Sequence, residues 1–366
     1  RKTGKALHHS ALFAAATDAL GKEEKQGRVY ARSYINAILM QELINRFDQE
    51  KAQNLTEELA GVQSIGGLLI GTEEGLRVRM QGKRDPDLSP EKMRNEDILS
   101  DHDDLVASLL QEQTLLHYRT SAFDKSFFHN FFPPADRNRQ YRELEQAVQK
   151  ELGFSLDRFL KAVGPRAGIS VHEIVNAGVF PLPKTIMAVH VRNKKAAGRA
   201  LSRLRDTLKK KGFAQEHQEK VHGHRLYFWS IMPMEATHLA IALSDTMLYI
   251  ANGESQLRTL LKEKRRAVDT LKEKMIQNLG ETAGSCAARA NVSAFLLRPA
   301  RLAEQIAPAA DWLTDMTLAN TKSSGKTVQK ELLGLMRSFD VIAACRYRTE
   351  TAISGEVVFK PVTAEK

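Results

Sequence analysis

The start and the end of the chain carry the same order of sequence patterns, and this repetition constrains the fold more than any other feature. Near the start, a strand pattern at residues 29–38 and a helix pattern at 41–61 precede a hairpin pattern at 64–83. Near the end, a similar strand pattern and a helix pattern around 311–319 precede a hairpin pattern after Ser338. We therefore predict two copies of one strand, helix and hairpin module, the second with a longer loop before its hairpin.

The hairpin patterns predict antiparallel β-structure. In the first, two apolar runs flank Thr72-Glu73-Glu74-Gly75, where the glycine can supply the positive φ that a tight connection needs. Strand and helix patterns occur in both modules, so we predict an α+β fold in which antiparallel sheets carry helices packed on one face. Residues 1–84 are predicted to form the trailing half of a first module, 85–105 a polar linker with two prolines, and 106–366 a complete second module.

Alternating and amphipathic patterns predict further elements outside the two copies. The predicted strands lie at 114–120, 185–191, 213–230 and 237–251. The predicted helices lie at 6–20, 139–152, 155–163, 194–211, 254–264 and 266–279. Gly164-Pro165 is expected to end the helix at 155–163, because proline cannot continue a helix and restricts the residue before it.

Several of these segments together resemble a family of exported bacterial proteins that is catalogued only as a domain of unknown function. The segments are the strand at 115–118, the helix end LDRFLKAVG at 156–164, the strand TIMAVHV at 185–191, the helix at 194–211, the segment HGHRLY at 222–227 and the strand at 239–251. The likeness covers about residues 114–360, and the first hundred residues match the trailing half of the family's pattern. The resemblance implies an envelope-facing protein of repeated α+β modules with no established catalytic residues, and it supplies no site.

The net charge of +10, from 54 basic and 44 acidic side chains, is spread along the chain. The basic helix at 194–211 has Leu201, Leu204 and Leu208 on one face, which is typical of an amphipathic helix on a sheet, with an anionic partner as the alternative. Basic residues are not interleaved with aromatic ones. We therefore predict weak association with anionic surfaces and no specific nucleic-acid recognition. The apolar runs are too short for a transmembrane segment.

Two motifs were weighed as sites for a cofactor or a metal. Residues 323–327 (SSGKT) resemble the end of a phosphate-binding loop, but Asn320 stands where its first glycine belongs, so we predict a polar loop. His217, Glu219, His222 and His224 lie within eight residues, and two-residue spacing would put His222 and His224 on one face of an extended chain. No third ligand for that pair is evident, so we predict an exposed β-connection. The sequence thus predicts no catalytic residue, no cofactor and no metal site.

Two further sets of residues have a structural and a functional interpretation. An aromatic stripe lines a core or binds an apolar ligand, and core packing is the simpler interpretation; its members are Phe123, Phe127, Phe128, Phe131 and Phe132. Cys286, expected at the entry to a strand, and Cys345, inside a strand, are either buried thiols or one disulfide. Two cysteines are too few for a disulfide framework.

The function predicted from these observations is non-catalytic. We expect an exported bacterial envelope protein, periplasmic or envelope-associated, that binds or scaffolds a partner whose identity the sequence does not specify. The alternatives are a carrier that holds a lipid or other apolar ligand between a curved sheet and helices, and an enzyme of unidentified class. A leader peptide, or the missing half of the first module, is expected upstream of Arg1.

Overall fold

A computed structural model describes residues 27–40, 42, 61–85, 87, 109–129, 132, 136–177, 180–212, 215–230, 232–263, 275–276, 279–317, 324–349 and 351–363. The predicted helices at 6–20, 41–61 and 266–279 lie wholly or almost wholly outside these residues. Most of the predicted linker at 85–105 also lies outside them.

The described residues form thirteen strands in one antiparallel sheet, together with eight helices, so the fold is mixed α+β. The strands are β1 Arg28–Asn36, β2 Val62–Thr72, β3 Gly75–Arg84, β4 Leu116–Thr120, β5 Val163–Ala177, β6 Phe180–Val191, β7 Gln215–Val221, β8 His224–Ser230, β9 Leu239–Leu243, β10 Met247–Asn252, β11 Ser293–Leu297, β12 Phe339–Arg348 and β13 Ala352–Pro361. Their order across the sheet is β1-β2-β3-β13-β12-β11-β4-β5-β6-β10-β9-β8-β7.

The helices lie mainly in the connections between these strands. They are α1 Lys125–His129, α2 Arg137–Leu152, α3 Leu156–Ala162, α4 Lys194–Lys211, α5 Glu254–Glu263, α6 Glu281–Arg289, α7 Pro299–Thr317 and α8 Ser324–Arg337. Helix α4 coincides with the predicted helix at 194–211. It begins after Asn193, whose side chain accepts a hydrogen bond from the Ala196 amide, and it ends at Gly212 in the left-handed conformation.

The strand order places an early strand of the chain beside the last one, as the third and fourth strands from one edge of the sheet. β3 pairs with β13 in an antiparallel register, with β1 and β2 on one side and β12 and β11 on the other. Residues on either side of the predicted linker therefore contribute to one continuous sheet. At the turn between β2 and β3, the carboxylate of Glu74 accepts hydrogen bonds from the Glu281 and Thr282 amides at the start of α6.

Helices cover both faces of the sheet, which differs from the predicted packing on one face. Ile241 of β9 packs with the leucines of α4, whereas its neighbours Ala240 and Ala242 pack with Leu257 and other leucines of α5. Successive residues of a strand point to opposite faces, so α4 and α5 lie on opposite faces. The prediction failed because β9 is apolar at every position and its alternation could not specify a single buried face.

The helix predicted at 155–163 ends before Gly164-Pro165 as expected, since α3 spans Leu156–Ala162. An unpredicted strand follows at once, because Val163 begins β5, which contains both Gly164 and Pro165. The pairing of β5 with β6 shifts register between Val163 and Ala167, and this irregularity accommodates a proline, which has no N–H to donate. The sequence analysis missed β5 because it took the glycine and proline as breakers.

Three other local predictions were wrong. Cys286 lies in α6 and not at the entry to a strand, and Ser324 begins helix α8 where a polar loop was predicted. The segments at 213–230 and 237–251 each form two strands, because His222-Gly223 and Ser244-Asp245-Thr246 turn the chain. His222 and Gly223 both have positive φ, at 48° and 89°, as a two-residue hairpin turn requires.

A candidate ligand-binding groove between α3 and α4

A groove with a volume of about 350 Å³ lies between α3 and α4 on the face of the sheet that α4 covers. It is lined by Phe154, Ser155, Arg158, Phe159, Ala196, Arg199, Ala200 and Arg203. This volume is at the lower end of the range of small-molecule sites. The groove is therefore large enough for a small ligand or for a side chain of a partner.

Helix α4 leaves room for the groove because small residues face α3. Leu201, Leu204 and Leu208 pack onto the sheet core, which fixes the rotation of α4 about its axis. That rotation places Ala196 and Ala200, one turn apart, on the side of α3. Larger side chains at these two positions would fill the space.

Helix α3 is held in place by hydrogen bonds at its start. The Ser155 hydroxyl accepts a hydrogen bond from the Arg158 amide and donates one to Glu145 of α2 at 2.7 Å. The other oxygen of Glu145 accepts from the Asp157 amide at 3.1 Å. The Tyr141 hydroxyl donates to Asp157, and burial together with this hydrogen bond raises the pKa of Tyr141. These contacts fix the start of α3 and with it the positions of Phe154 and Phe159, which form the floor of the groove.

The aromatic stripe, for which core packing is the simpler prediction and an apolar-ligand site the alternative, lies next to this groove. Phe123 is buried, and Phe127 and Phe128 are half-buried; their ring centroids are 5.4–5.6 Å apart. All three pack against Val163, Ala167 and Val189 of the sheet and against Phe159. Phe132 is half-buried, whereas Phe131 lies outside the described residues. The rings of Phe123, Phe127 and Phe128 are thus part of the core, and Phe159 connects that core to the groove.

The groove is lined by positive charge only. Arg158, Arg199 and Arg203 are exposed, and the eight lining residues include no acidic side chain. Three other cations of α4 have acidic partners: Lys194 pairs with Asp245, Arg205 with Glu216 and Lys211 with Glu151. The hydrogen bonds from Lys194 and Lys211 lower the pKa of Asp245 and of Glu151. Among the described residues, the three groove arginines form no ion pair.

These arginines and Phe154 are not among the site residues predicted from the sequence. The sequence of the helix at 194–211 indicated its leucine face and, as an alternative, an anionic partner for its basic face. A signal in the sequence could have indicated these residues. Ala196 and Ala200, like Arg199 and Arg203, are four residues apart, which places two small and two basic residues on one side of the helix. Phe154 could not be placed because it lies outside any predicted helix.

A serine and a histidine also form a close pair, but they lie in the core. Nδ1 of His117 in β4 is 2.7 Å from the hydroxyl of Ser170 in β5, and the two residues are 3% and 0% exposed. Burial, with the positive charge of Arg119, lowers the pKa of His117 to about 3, so the imidazole is neutral at pH 7. A substrate has no access to Ser170 in this arrangement. The pair therefore satisfies buried polar groups between two strands.

The two cysteines form a disulfide between α6 and β12. The Cα atoms of Cys286 and Cys345 are 5.8 Å apart, within the usual range for a disulfide, and both residues are buried. The bridge joins a helix to the sheet rather than two neighbouring strands. It lies in a core that also contains Ala294 and Leu296 of β11 and Val358 of β13.

The remaining candidate positions form no site. His217 stacks on Phe228 within the β7–β8 hairpin, with ring centroids 4.9 Å apart. In the described part of the chain, no group of three or more His, Cys, Asp and Glu side chains is arranged to hold a metal ion. A second hollow, of about 530 Å³, lies at the turn between β2 and β3 and extends to Gly27, where the described residues begin.

The chain was compared with protein-family models, with curated proteins and with solved structures. No family model, curated protein or solved structure matches the chain. Of the helices that the structure describes, none combines the length and the apolar character needed to cross a membrane.

Proposed function

We propose that the protein is a non-catalytic binding or scaffolding protein and that the groove between α3 and α4 is its binding site. One observation carries this proposal. The rings of Phe154 and Phe159 form an apolar floor, and the small side chains of Ala196 and Ala200 on the opposite wall leave space above it. Apolar pockets bordered by a few polar groups are the usual form of a binding site.

Binding of an uncharged naphthylamine fluorophore tests this proposal. We expect its fluorescence to rise on addition of the protein, because the dye would leave water for the groove. The variant A200W fills the groove and should abolish the rise, whereas S202W, on the exposed side of the same helix, should not. A196F provides a second filling variant if A200W unfolds. Equal dye binding by the wild type and both filling variants would remove the groove as the binding site.

The carrier of a lipid or other apolar ligand is the second candidate. The aromatic floor and the volume of about 350 Å³ favour it, since they suit one small apolar ligand. The groove lies between two helices, so the ligand would be held there and not between the sheet and the helices. Mass spectrometry of an organic extract of the purified protein distinguishes the candidates, because a carrier retains a lipid and a scaffold does not.

We also propose a periplasmic or envelope location. The disulfide supports it, because such bonds persist in oxidising compartments and are rare in the cytosol of most organisms. The net charge of +10 supports weak, salt-sensitive contact with anionic envelope surfaces. Sedimentation with anionic vesicles should fall steeply between about 50 and 200 mM salt, and DNA binding should not depend on sequence. Sequence-dependent DNA binding that persists at the higher salt would refute this view.

The internal repeat is a proposal of the same kind. In each half, a strand, a connection and a hairpin form three neighbouring antiparallel strands, β1-β2-β3 and β11-β12-β13. The two sets meet at β3 and β13 in mirrored order, which supports two copies of one module. Between β11 and β12 the described residues form two helices, α7 and α8, where one helix and a loop were predicted.

A further inference from the structure

We propose that the groove binds a single-chain anionic amphiphile, a fatty-acid carboxylate, with its head group at Arg199, Arg203 and Arg158 and its chain on Phe154 and Phe159. This inference rests on the proposed function of the groove and specifies its ligand class. The inference requires that the arginines and the apolar floor bind two parts of the same molecule, the head group and the chain.

The three arginines Arg158, Arg199 and Arg203 form the rim of the groove, and their positive charge favours an anion. Arg199 and Arg203 are one turn apart on α4, and Arg158 lines the opposite wall on α3. Like charges one turn apart on a helix repel each other, and no described acid pairs with either arginine of α4. A carboxylate between them would relieve this repulsion, and the planar guanidinium group binds a carboxylate through two parallel hydrogen bonds.

The described carboxylates of the neighbouring elements form no ion pair with the three arginines of the rim. Asp157 accepts a hydrogen bond from Tyr141, and Glu145 accepts from Ser155 and from the Asp157 amide. None of the residues that line the groove is acidic. No described carboxylate therefore occupies the position between these arginines that a ligand carboxylate would take.

The floor of the groove favours a chain of methylene groups. The rings of Phe154 and Phe159 have centroids 5.5 Å apart, and both are half-buried, so each presents apolar surface to the groove. Ala196 and Ala200 add apolar surface on the opposite wall. A volume of about 350 Å³ suits one chain better than the two chains of a phospholipid.

Competition against the naphthylamine dye tests the ligand class. The competitors are dodecanoate, dodecanol and dodecyltrimethylammonium, each below its micelle concentration, so that the chain is constant and the head-group charge varies. We expect dodecanoate to bind at least about tenfold more tightly than dodecanol, which corresponds to about 1.4 kcal/mol, and the cation to bind most weakly. High salt should reduce the advantage of dodecanoate, since the arginines are exposed.

Charge variants assign the effect to the rim. R199Q/R203Q should remove the preference for dodecanoate over dodecanol, measured as the ratio of the two affinities. K194Q/K209Q removes two charges from the other side of the same helix and should keep the preference. Dye binding that A200W blocks, combined with equal affinity for dodecanoate and dodecanol, would refute the anionic ligand but keep the groove. An equal loss of preference in both double variants would show a general charge effect and also refute it.

Discussion

Arg77 of β3 and Glu356 of β13 form a buried ion pair across the strand pair that joins the two ends of the chain. Nε of Arg77 lies 2.7 Å from Oε1 of Glu356, and a terminal nitrogen donates to Oε2 at 3.0 Å. The two residues are 4% and 1% exposed. Tyr347 donates a further hydrogen bond to Glu356 from β12. The pair thus couples three neighbouring strands by polar contacts inside the core.

Removal of the charge of Glu356 should destabilise the protein strongly. E356Q breaks the buried ion pair between Arg77 and Glu356, and breaking such a pair typically costs about 3–5 kcal/mol. The free energy of unfolding from urea titration measures the loss. D245N, which breaks the exposed pair with Lys194, serves as the control and should lower the free energy of unfolding far less than E356Q does. Equal stability of E356Q and the wild type would contradict the prediction.

Reduction of the disulfide should also lower stability. Its two cysteines are 59 residues apart, and the loop-entropy estimate for such a loop is about 4 kcal/mol. We expect a lower urea midpoint for the wild type in reducing buffer and for C286A/C345A, with no effect of reductant on the double variant. A thiol reagent should find no free thiol in the unreduced, denatured protein. Two reactive thiols under those conditions would show that the bridge is not formed.

Stability should fall as the pH decreases from about 6.5 to 5. Burial lowers the pKa of His117 to about 3 and also lowers the pKa of His172, whose ring Nε2 donates to the Leu109 carbonyl. In the unfolded chain both histidines take up a proton near pH 6.5, so the unfolded state binds more protons and is favoured by acid. The stabilisation is present above pH 6.5 and decreases below it.

The expected slope is up to about 1.4 kcal/mol per pH unit for each histidine. H117Q should remove one histidine's share of the slope, whatever its effect on stability at pH 7. Urea titrations at several pH values between 5 and 7 provide the measurement. A slope that is identical in H117Q and the wild type would refute the assignment.

Gly75 should tolerate alanine less well than other glycines of similar conformation. Its φ is +138°, and a Cβ atom there would lie 2.2 Å from the Phe359 carbonyl oxygen of β13. Gly223 has φ +89° but open space around it, so G223A should cost only about 1 kcal/mol for its backbone conformation. We expect G75A to cost clearly more, because β3 must also move away from β13. Similar unfolding midpoints for the two variants would contradict this.

Two of the elements that the sequence predicted correctly have their ends or turn specified by local residues. Helix α4 has Asn193 and Gly212 as caps, and the β2–β3 hairpin has Gly75 at its turn. Helix α6 and strand β5 were missed because their environment decides their structure. Alanines and Cys286 pack one side of α6 onto β11 and β12, and pairing on both sides holds β5 extended through Pro165.

The groove shows the same limit for a binding site. The residue types of α4 were visible in the sequence, but α3 brings Phe154, Phe159 and Arg158 from a different segment. Their position depends on the hydrogen bonds of Glu145 and Ser155, which connect two helices. Single-sequence patterns describe one element at a time, so they cannot place residues that two elements bring together.

The strand order has a consequence for synthesis of the chain. β3 emerges from the ribosome early, but its partner β13 follows 279 residues later, counted from Arg77 to Glu356. At a translation rate of about 5–20 residues per second, β13 is made roughly 14–56 s after β3, and until then the β3 edge of the β2–β3 hairpin has no partner strand. An unpaired edge invites association with other strands. The free edge of β3 therefore needs protection from such association until the last hairpin has been made.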